Sequence, residues 1–398
     1  MAVGEGFTGE VHPVAGVRLA AVESGIRYQN RLDLVLIEIE AGASVAGVFT
    51  QNAFCAAPVS VARENLGSKA SRYFLINTGN ANAGTGEQGL LDALRCCQSL
   101  ADIARVDVRE VLPFSTGVIG ERLPVEKIIA GIPDAFTSLD ESAWHNAAKG
   151  IMTTDTRPKL VSRKLTVEGK TVSITGMAKG AGMLKPNMAT MLAYVFTDAA
   201  IPQQQVQDIV RRASDRSFNR ITVDGDTSTN DCCMLVATGK SEVPVNPDVE
   251  SALVEVFQEL AVALIKDAEG ASKFVTVHVA QGGSTEECLA VAYAVAESPL
   301  VKTAIFASDP NWGRVLAAVG RAGLDNLDIS AVEIRLGEVL LVTGGEVAGS
   351  YREELGQLEM DKDEISLTIS LGRGEVSETV WTSDLSHDYI RINAEYRS

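Results

Sequence analysis

The stretch that most restricts how the chain can fold runs from Lys179 to Thr197, where a basic, glycine-rich turn leads into an apolar run. Two lysines, two glycines, a proline and an asparagine precede Thr190. Met191–Thr197 is almost entirely apolar, which predicts a buried strand. The pattern alone favours a structural turn between two strands. It also places a hydroxyl group at the start of a strand, a suitable position for a nucleophile.

The composition is that of an acidic, well-packed globular protein. The 398 residues are 46% hydrophobic and carry a formal net charge of −17. This length allows more than one domain. The negative charge argues against partners such as nucleic acid or an anionic membrane. No apolar run is long enough to cross a bilayer and no signal peptide is apparent, so we expect a cytoplasmic protein.

The cysteines and histidines show no spacing typical of a metal site. The six cysteines include two adjacent pairs and no C-x-x-C motif, so we expect reduced thiols in the core. The four histidines are scattered along the chain without an H-x-x-x-H or H-E-x-x-H spacing. The sequence therefore supports neither a bound metal nor a histidine-based catalytic triad.

The predicted elements mix strands, helices and hairpins without a strict βαβ alternation. This order predicts an α+β protein, a layered α/β sandwich of mixed sheets with a smaller C-terminal α+β domain. We expect the main α/β domain at 1–280 and the C-terminal domain at 281–398. The predicted strands include Asp33–Glu40 with Ser44–Phe49 as its hairpin partner, Ala56–Ala62, Ser71–Asn77, the hairpin pair Lys164–Val167 and Thr171–Thr175, Ala304–Ala307 and Asp388–Ser398.

A glycine-rich loop with a literal G-x-G-x-x-G pattern, at Gly84, Gly86 and Gly89, lies between a predicted strand and a predicted helix. That pattern is typical of dinucleotide sites, so nucleotide binding is an alternative function. The first glycine, however, follows Asn77 at the end of the strand by several residues. No convincing acidic residue ends a second strand. A loop that lines a cleft or turns a corner is the favoured interpretation.

Three further loops carry polar residues next to apolar elements. Ser115–Gly120 is predicted as a strand-to-turn corner, whose N–H groups could point at a developing oxyanion. Met152–Lys159 follows a predicted helix and is either a solvated loop or a ligand-binding loop. Asp224–Asp231 has three acids that could hold Mg²⁺ or Ca²⁺, but it lacks the calcium-loop spacing, so a hydrogen-bonded structural loop is favoured.

Taken together, these motifs resemble the ornithine acetyltransferase family, the glutamate N-acetyltransferases of arginine biosynthesis. The resemblance extends along nearly the whole chain. It is carried by Val48–Asn52, Asn77–Asn82, Ser115–Gly120, Met152–Thr156, Lys179–Met183, Pro186–Leu192, Asp224–Asp231, Ser308–Arg314 and Ile392–Tyr396.

The resemblance implies a self-cleaving enzyme with an N-terminal nucleophile. The precursor would cut itself between Ala189 and Thr190 into an α-chain of 1–189 and a β-chain of 190–398, assembled as an α2β2 heterotetramer. Thr190 would be the nucleophile, and Thr116 and Gly117 would form the oxyanion hole. The residues implied to contact substrate are Thr156, Lys179, Thr190, Glu269, Asn393 and Ser398.

The implied reaction moves an acetyl group from N2-acetylornithine to glutamate through an acetyl ester on Thr190, without a cofactor. The α-amine that cleavage creates on Thr190 would act as the base, so no histidine is needed. The sequence leaves open whether acetyl-CoA also serves as a donor. The alternative within the same catalytic type is an aminopeptidase or amidase, in which water replaces glutamate as the acceptor.

Overall fold

The computed structural model describes residues 2–185 and 191–395. Within them the chain divides into two compact units. The larger unit comprises Gly6–Asn219 and Thr227–Leu264. The smaller unit comprises the described residues of Met1–Glu5, Arg220–Asp226 and Ile265–Ser398. Each unit contains hydrophobic core clusters of its own.

The larger unit contains two sheets. Its elements are β1 (Val17–Val22), β2 (Leu34–Ile39), β3 (Ser44–Phe49), α1 (Ala57–Ser68), β4 (Tyr73–Asn80), α2 (Gly86–Ala104), β5 (Val111–Val118), α3 (Val125–Thr137), α4 (Trp144–Gly150), β6 (Lys159–Val167), β7 (Lys170–Lys179), β8 (Leu192–Thr197), α5 (Gln203–Asp215), β9 (Cys232–Ala237) and most of α6 (Pro247–Lys266). The strand orders are β1-β2-β4-β5 and β3-β9-β8-β7-β6. The pairs β4–β5 and β8–β9 are parallel, and the other neighbouring strands are antiparallel.

The two sheets pack face to face, with helices on their outer faces. The ring of Tyr194 on β8 lies 5.8 Å from Phe74 on β4 and 5.3 Å from Phe114 on β5. Helices α2 and α3 cover the outer face of the first sheet. Helix α6 lies against the second sheet, where a Cβ at Gly176 would stand 2.9 Å from Leu260. The order helix–sheet–sheet–helix confirms the predicted layered α/β sandwich.

The hairpin of β6 and β7 confirms the predicted hairpin of Lys164–Val167 and Thr171–Thr175, and its turn lies at Glu168 and Gly169. Both residues have positive φ angles, 49° and 80°, the conformation that matches the twist of a two-residue hairpin. The paired strands run from Val167↔Lys170 to Lys159↔Ala178. At the end of β7, Lys179 pairs with Leu192, the first residue of β8.

The smaller unit contains one mixed sheet with the order β13-β12-β11-β14-β10-β15. Its elements are β10 (Phe274–Gly282), α7 (Thr285–Ala296), α8 (Pro299–Phe306), α9 (Trp312–Gly320), β11 (Glu333–Leu336), β12 (Val339–Thr343), β13 (Glu346–Val347), α10 (Glu353–Met360), β14 (Glu364–Ser370), β15 (Val376–Ser383) and α11 (His387–Ala394). Strand β10 pairs with β14 and β15. Residues 274–280, which the predicted boundary at 280 assigns to the main domain, therefore belong to this sheet.

In the described part of the chain, no single helix has the length and apolar character to span a membrane. Helices α7 and α8 reach that standard only when taken together, and they are bent by 56° relative to each other. Both helices contribute buried residues to the core of the smaller unit.

Two predictions for the larger unit are wrong. Ser44–Phe49 is a strand but not the hairpin partner of β2, because both edges of β2 are occupied by β1 and β4, and β3 pairs with β9 instead. Ala56–Ala62 is not a strand but the start of helix α1. Pro58 lies in the first turn of α1, where its fixed φ angle and missing N–H group suit a helix start.

Two predictions for the smaller unit are also wrong. Ala304–Ala307 is not a strand, because Ile305 and its neighbours continue α8, which begins after the N-cap Ser298. The C-terminal strand is instead helix α11 through Ala394. The hydroxyl oxygen of Ser386 accepts a hydrogen bond from the Tyr389 N–H and caps that helix.

Candidate active site

The predicted oxyanion residues lie on a strand rather than in a turn. Strand β5 continues through Thr116 and Gly117 and ends at Val118. The chain therefore turns after Val118, and not from Ser115 as the predicted corner at Ser115–Gly120 has it. Gly117 has a φ angle of 136°. A Cβ at this position would lie 2.3 Å from the carbonyl carbon of Gly79 on β4. Only glycine fits here, because the neighbouring backbone occupies the space of a side chain.

Lys179 contacts Thr116 directly. Lys179 pairs with Leu192, the first residue of β8, and its Nζ donates a hydrogen bond to Thr116 Oγ1 at 3.0 Å. An ammonium group can only donate, so the threonine oxygen is the acceptor. The hydroxyl proton of Thr116 is therefore available to a second acceptor. Two residues named from the resemblance thus meet in the larger unit, although 63 positions separate them.

The carboxylate of Asp155 fixes the loop before β6 to the residue after β7. It forms a buried ion pair with Lys159, accepts the Gly180 N–H at 2.9 Å and accepts the Thr153 N–H at 2.9 Å. Burial works against ionisation, but the charges of Lys159 and Lys179 outweigh it and hold the pKa of Asp155 below its usual range. Asp155 therefore helps to position Lys179, because it binds the backbone N–H of the next residue, Gly180.

The sequence pattern indicates no role for Asp155. The family resemblance instead implies its neighbour Thr156, which is exposed next to the buried carboxylate. The acid stands alone in a hydroxyl-rich run between a helix and a strand. A single acid in such a run, with Lys159 four residues later, is the sequence feature that could have predicted the buried ion pair.

The polar loop before β9 is a hydrogen-bonded structural loop, as predicted. The Nδ2 of Asn230 donates to the carbonyl oxygens of Ala81, at 2.5 Å, and Ser115, at 2.9 Å. One buried amide group therefore joins the end of β4 to the strand that carries Thr116. Thr227 Oγ1 donates to the carbonyl oxygen of Lys185 at 3.1 Å.

The proposed cleavage site, Ala189 and Thr190, lies outside the described residues. Its described neighbours are both bonded to the segment 227–232. Lys185 accepts the hydrogen bond from Thr227, and the Met191 carbonyl oxygen accepts from the Cys232 N–H at 2.9 Å. The same segment therefore fixes the chain on each side of the site.

The glycine-rich loop at Gly84–Gly89 closes on itself. The Nδ2 of Asn82, which is fully buried, donates to the Gly89 carbonyl oxygen at 2.9 Å, and its Oδ1 accepts from the Thr85 hydroxyl at 2.9 Å. A Cβ at Gly89 would lie 2.0 Å from Thr85 Oγ1. These contacts give the third glycine a packing role and favour the structural interpretation of the pattern.

The smaller unit brings together Glu269 and Asn393. The Asn393 Nδ2 on α11 donates to Glu269 Oε2 at 2.8 Å and to the Tyr389 carbonyl oxygen at 3.0 Å. Glu269 is 8% exposed, whereas Asn393 is exposed. Ser398, the last residue named from the resemblance, lies outside the described residues.

Helix α11 is seated on the glycine that follows Glu269. Gly270 has a φ angle of 68°, and a Cβ there would lie 2.5 Å from the Tyr389 backbone nitrogen. The Ser386 hydroxyl donates to the Gly270 carbonyl oxygen at 2.6 Å. Tyr389 Oη donates to Asp224 Oδ2 at 3.1 Å. These contacts explain how a short terminal helix presents Asn393 to Glu269.

The cysteines of the structure are free thiols, and all except Cys55 are buried. Burial raises the pKa of Cys96 and of Cys233 each to about 12. Across residues 2–185 and 191–395, no group of three or more His, Cys, Asp or Glu side chains is arranged to hold a metal ion.

Comparison with known proteins decides the family. A model described as the ArgJ family matches residues 18–398. The chain belongs to the ArgJ family. It is 54% identical to the arginine biosynthesis bifunctional protein ArgJ of Pseudomonas syringae pv. tomato and 53% identical to that of Psychrobacter arcticus. Each comparison covers 100% of both chains. The predicted family resemblance is confirmed.

Two solved ArgJ-type structures are also similar to this chain. The arginine biosynthesis bifunctional protein ArgJ of Bacillus halodurans is 35% identical, over 50% of this chain and 97% of that chain, with a TM-score of 0.48. The ornithine acetyltransferase of Mycobacterium tuberculosis, complexed with ornithine, is 35% identical over 44% of this chain and 94% of that chain, with a TM-score of 0.39.

Proposed function

We propose that this ArgJ protein transfers an acetyl group from N2-acetylornithine to glutamate through an acetyl ester on Thr190. Membership of the family confirms the predicted class, an acyltransferase of arginine biosynthesis. The hydrogen bond from Lys179 to Thr116 is the observation that carries the proposal. In this bond the Thr116 oxygen accepts from Lys179, so the Thr116 hydroxyl proton is free to stabilise negative charge. Lys179 itself pairs with Leu192, the first residue of β8.

The nucleophile in this proposal is the Thr190 hydroxyl, and the base is the α-amine of the same residue. A threonine hydroxyl needs a base at neutral pH. A chain-terminal amine has an ordinary pKa of about 7.7–8.0, which suits proton transfer near physiological pH. The amine takes the hydroxyl proton during attack on the acetyl carbonyl and returns it to the departing ornithine amine.

The oxyanion of the tetrahedral intermediate is stabilised by Thr116 and Gly117. Because Thr116 Oγ1 accepts from Lys179, its proton can point to the oxyanion. The nearby ammonium charge strengthens that donor. Loss of one such donor commonly raises the barrier by about 3 kcal/mol.

The second half of the cycle uses glutamate as the acceptor. Its amine attacks the acetyl ester, N-acetylglutamate leaves and the Thr190 hydroxyl is restored, so no cofactor is required. Acetylornithine and glutamate are both amino acids. Glu269 suits a substrate ammonium, because Asn393 occupies only one of its acceptor positions. Lys179 suits a carboxylate.

The remaining residues of the proposed site supply hydroxyl groups. Thr156 is exposed beside Asp155, and Ser398 ends the chain. In this proposal both donate hydrogen bonds to the polar groups of the substrate.

Maturation completes the proposal. The chain cuts itself between Ala189 and Thr190, and the chains 1–189 and 190–398 assemble as an α2β2 heterotetramer in the cytoplasm. Without the cut, Thr190 has no α-amine to act as its base.

Intact mass and acetyl-transfer assays test the nucleophile. The purified protein should give chains of 189 and 209 residues (398 − 189). Thr190→Ala should give one uncut chain without acetyl transfer, whereas Thr171→Ala, at an exposed threonine of β7, should be cut and active. A cut or active Thr190→Ala protein would refute the assignment.

A second assay separates transfer from hydrolysis. Without glutamate, ornithine release from N2-acetylornithine should stop after a single turnover, because the acetyl ester on Thr190 then waits for an amine. Continued release without glutamate would support the amidase alternative instead. Formation of N-acetylglutamate from acetyl-CoA and glutamate, measured in parallel, tests acetyl-CoA as a second donor, a use suggested by the bifunctional naming of the relatives.

A further inference from the structure

Arg31 is a half-buried cation of the larger unit that forms no ion pair with a carboxylate in the described part of the chain. It lies in the loop between β1 and β2. Its Nη2 donates to the carbonyl oxygens of Met152, at 2.7 Å, and Thr153, at 2.8 Å. These bonds use both N–H groups of Nη2 and leave those of Nε and Nη1 available. Because carbonyl oxygens carry no net charge, the positive charge of Arg31 is not neutralised.

Arg27, in the same loop, provides a direct comparison. The guanidinium carbons of Arg27 and Arg31 lie 5.8 Å and 5.9 Å from the centroid of the Tyr28 ring. Arg27 is neutralised within the chain, because its Nη1 lies 2.8 Å from Glu121 Oε2. Arg31 has the same aromatic neighbour but no such carboxylate. Since burying an unpaired charge is costly, a ligand that supplies an anion should bind Arg31 favourably.

The loop that Arg31 holds belongs to the candidate active site. Thr153, whose carbonyl oxygen Arg31 binds, donates its N–H to the carboxylate of Asp155. That carboxylate also accepts the N–H of Gly180, the residue after Lys179. Arg31 and Lys179 are therefore connected through one loop of the larger unit, and each contact in this connection is between described residues.

The two substrates of the proposed reaction carry opposite charges at the ends of their side chains. Both have a reacting α-nitrogen and an α-carboxylate, and Lys179 suits that carboxylate. The side chain of N2-acetylornithine ends in an ammonium group, which Glu269 suits. The side chain of glutamate ends in a second carboxylate, which the like charge of Glu269 would repel. Binding of the acceptor therefore requires a further cation.

We propose that Arg31 binds the side-chain carboxylate of glutamate and thereby selects the acetyl acceptor. The inference rests on the proposed function, because it takes glutamate as the acceptor of the acetyl ester. The Nε and Nη1 groups donate to the carboxylate, while the bonds of Nη2 to Met152 and Thr153 hold the guanidinium plane in place. A cation held in this way loses less conformational freedom when the ligand binds. The neutral amide of glutamine would gain less from the same contact, so glutamate is preferred.

The choice between glutamate and glutamine in Arg31→Gln tests the proposal. The quantity measured is the ratio of kcat/KM for glutamate to kcat/KM for glutamine, with N2-acetylornithine as the donor. Loss of the charged donor should lower this ratio by about ten- to a hundredfold, mainly through a higher KM for glutamate. Partial damage to the fold lowers both values together and leaves the ratio unchanged.

The donor half-reaction provides a second readout. Without glutamate, Arg31→Gln should release ornithine in a single turnover at the rate of the unsubstituted enzyme, because N2-acetylornithine has no side-chain carboxylate. Arg31→Lys keeps the positive charge and should retain most of the preference for glutamate. Arg18→Gln removes only an exposed pair with Glu38 and should change neither the ratio nor the single turnover.

An unchanged ratio in Arg31→Gln overturns the proposal. An equal loss in the donor half-reaction also overturns it, because Arg31 would then only support the loop. Failure of the proposed function is distinguishable, since the unsubstituted enzyme would then transfer no acetyl group from N2-acetylornithine to glutamate. Failure of this inference alone leaves that transfer intact.

A crystal structure of the unsubstituted enzyme with glutamate bound covers an Arg31→Gln variant that does not fold. A side-chain carboxylate oxygen of glutamate should lie within about 3.2 Å of Nε or Nη1 of Arg31. A bound glutamate whose side-chain carboxylate does not contact Arg31 contradicts the assignment.

Discussion

The two clusters of predicted site residues are built in different ways. In the larger unit, Thr116, Lys179 and Asp155 are held by strands and by a buried ion pair. In the smaller unit, Glu269 is bonded by Asn393 from α11, a helix with no buried residue. The first arrangement is fixed before substrate arrives and suits charge that develops during the reaction. The second can adjust more easily and suits binding and release.

This difference predicts different effects for substitutions in the two clusters. Changes in the first cluster should reduce the stability of the fold or the rate of the chemical step. Changes in the second should reduce substrate affinity and leave the rate at saturation nearly unchanged. Three substitutions test the comparison, in order of decreasing effect.

Asp155→Asn should have the largest effect. It removes the carboxylate from a buried ion pair with Lys159, and breaking such a pair typically costs about 3–5 kcal/mol. Denaturant unfolding measures the free energy. Glu40→Gln removes the partner of Lys240 in an exposed ion pair and should cost less than about 1 kcal/mol. Equal losses in the two variants would remove the distinction between a buried and an exposed pair.

The buried ion pair of Asp155 and Lys159 also predicts how the free energy of unfolding changes with pH. The pKa of Asp155 is low in the folded protein, because the charges of Lys159 and Lys179 overcome the effect of burial. Its contribution to stability is therefore present above the unfolded carboxyl pKa of about 3.9 and is lost as the pH falls below that value. In Asp155→Asn this acid-dependent part of the unfolding curve should disappear.

Local patterns were sufficient to predict much of the sandwich. Strand β8 is buried on both faces and therefore has a continuous apolar sequence, and the β6–β7 turn has the residues its backbone requires. The position of β3 was not predictable, because β3 pairs with β9, a strand that is distant in sequence, with Phe49 opposite Cys232. Helix α11 was missed because Tyr389–Ile392 alternates like a strand, and the cap at Ser386 was not recognised.

The candidate site was predictable in its residue types but not in its contacts. The family resemblance named Lys179 and Thr116 without indicating that one bonds the other. Asp155 was not selected, because the importance of a buried carboxylate depends on neighbours that are distant in sequence. Local sequence shows a charge, but only the fold shows that the charge is enclosed.

Lys179→Met should have the second-largest effect. Methionine keeps much of the aliphatic length but removes the donor to Thr116 Oγ1 and the charge that polarises that hydroxyl. We expect kcat to fall by about 10- to 100-fold, the contribution of one hydrogen bond from a charged group, because Thr116 itself remains as the oxyanion donor. The initial rate of acetyl transfer at saturating substrate measures it.

The matched control is Lys170→Met at the other end of β7. Lys170 forms an exposed pair with Glu242, so its loss should change neither kcat nor KM. A Lys179→Met enzyme with unchanged kcat and only a raised KM would assign Lys179 to substrate binding alone. It would also remove the contrast between the two clusters.

Asn393→Ala should have the smallest effect and a different kinetic signature. The substitution removes one hydrogen bond to Glu269 Oε2, and a contribution of about 0.5–1.5 kcal/mol corresponds to a rise in KM for N2-acetylornithine of about two- to tenfold. The kcat should change little, because the carboxylate itself remains. Arg391→Ala, on the same helix, removes only an exposed pair with Asp388 and should leave KM unchanged. A loss of kcat in Asn393→Ala as large as that in Lys179→Met would show that the smaller unit's cluster acts in the chemical step, and the division between a fixed catalytic cluster and an adjustable binding cluster would fail.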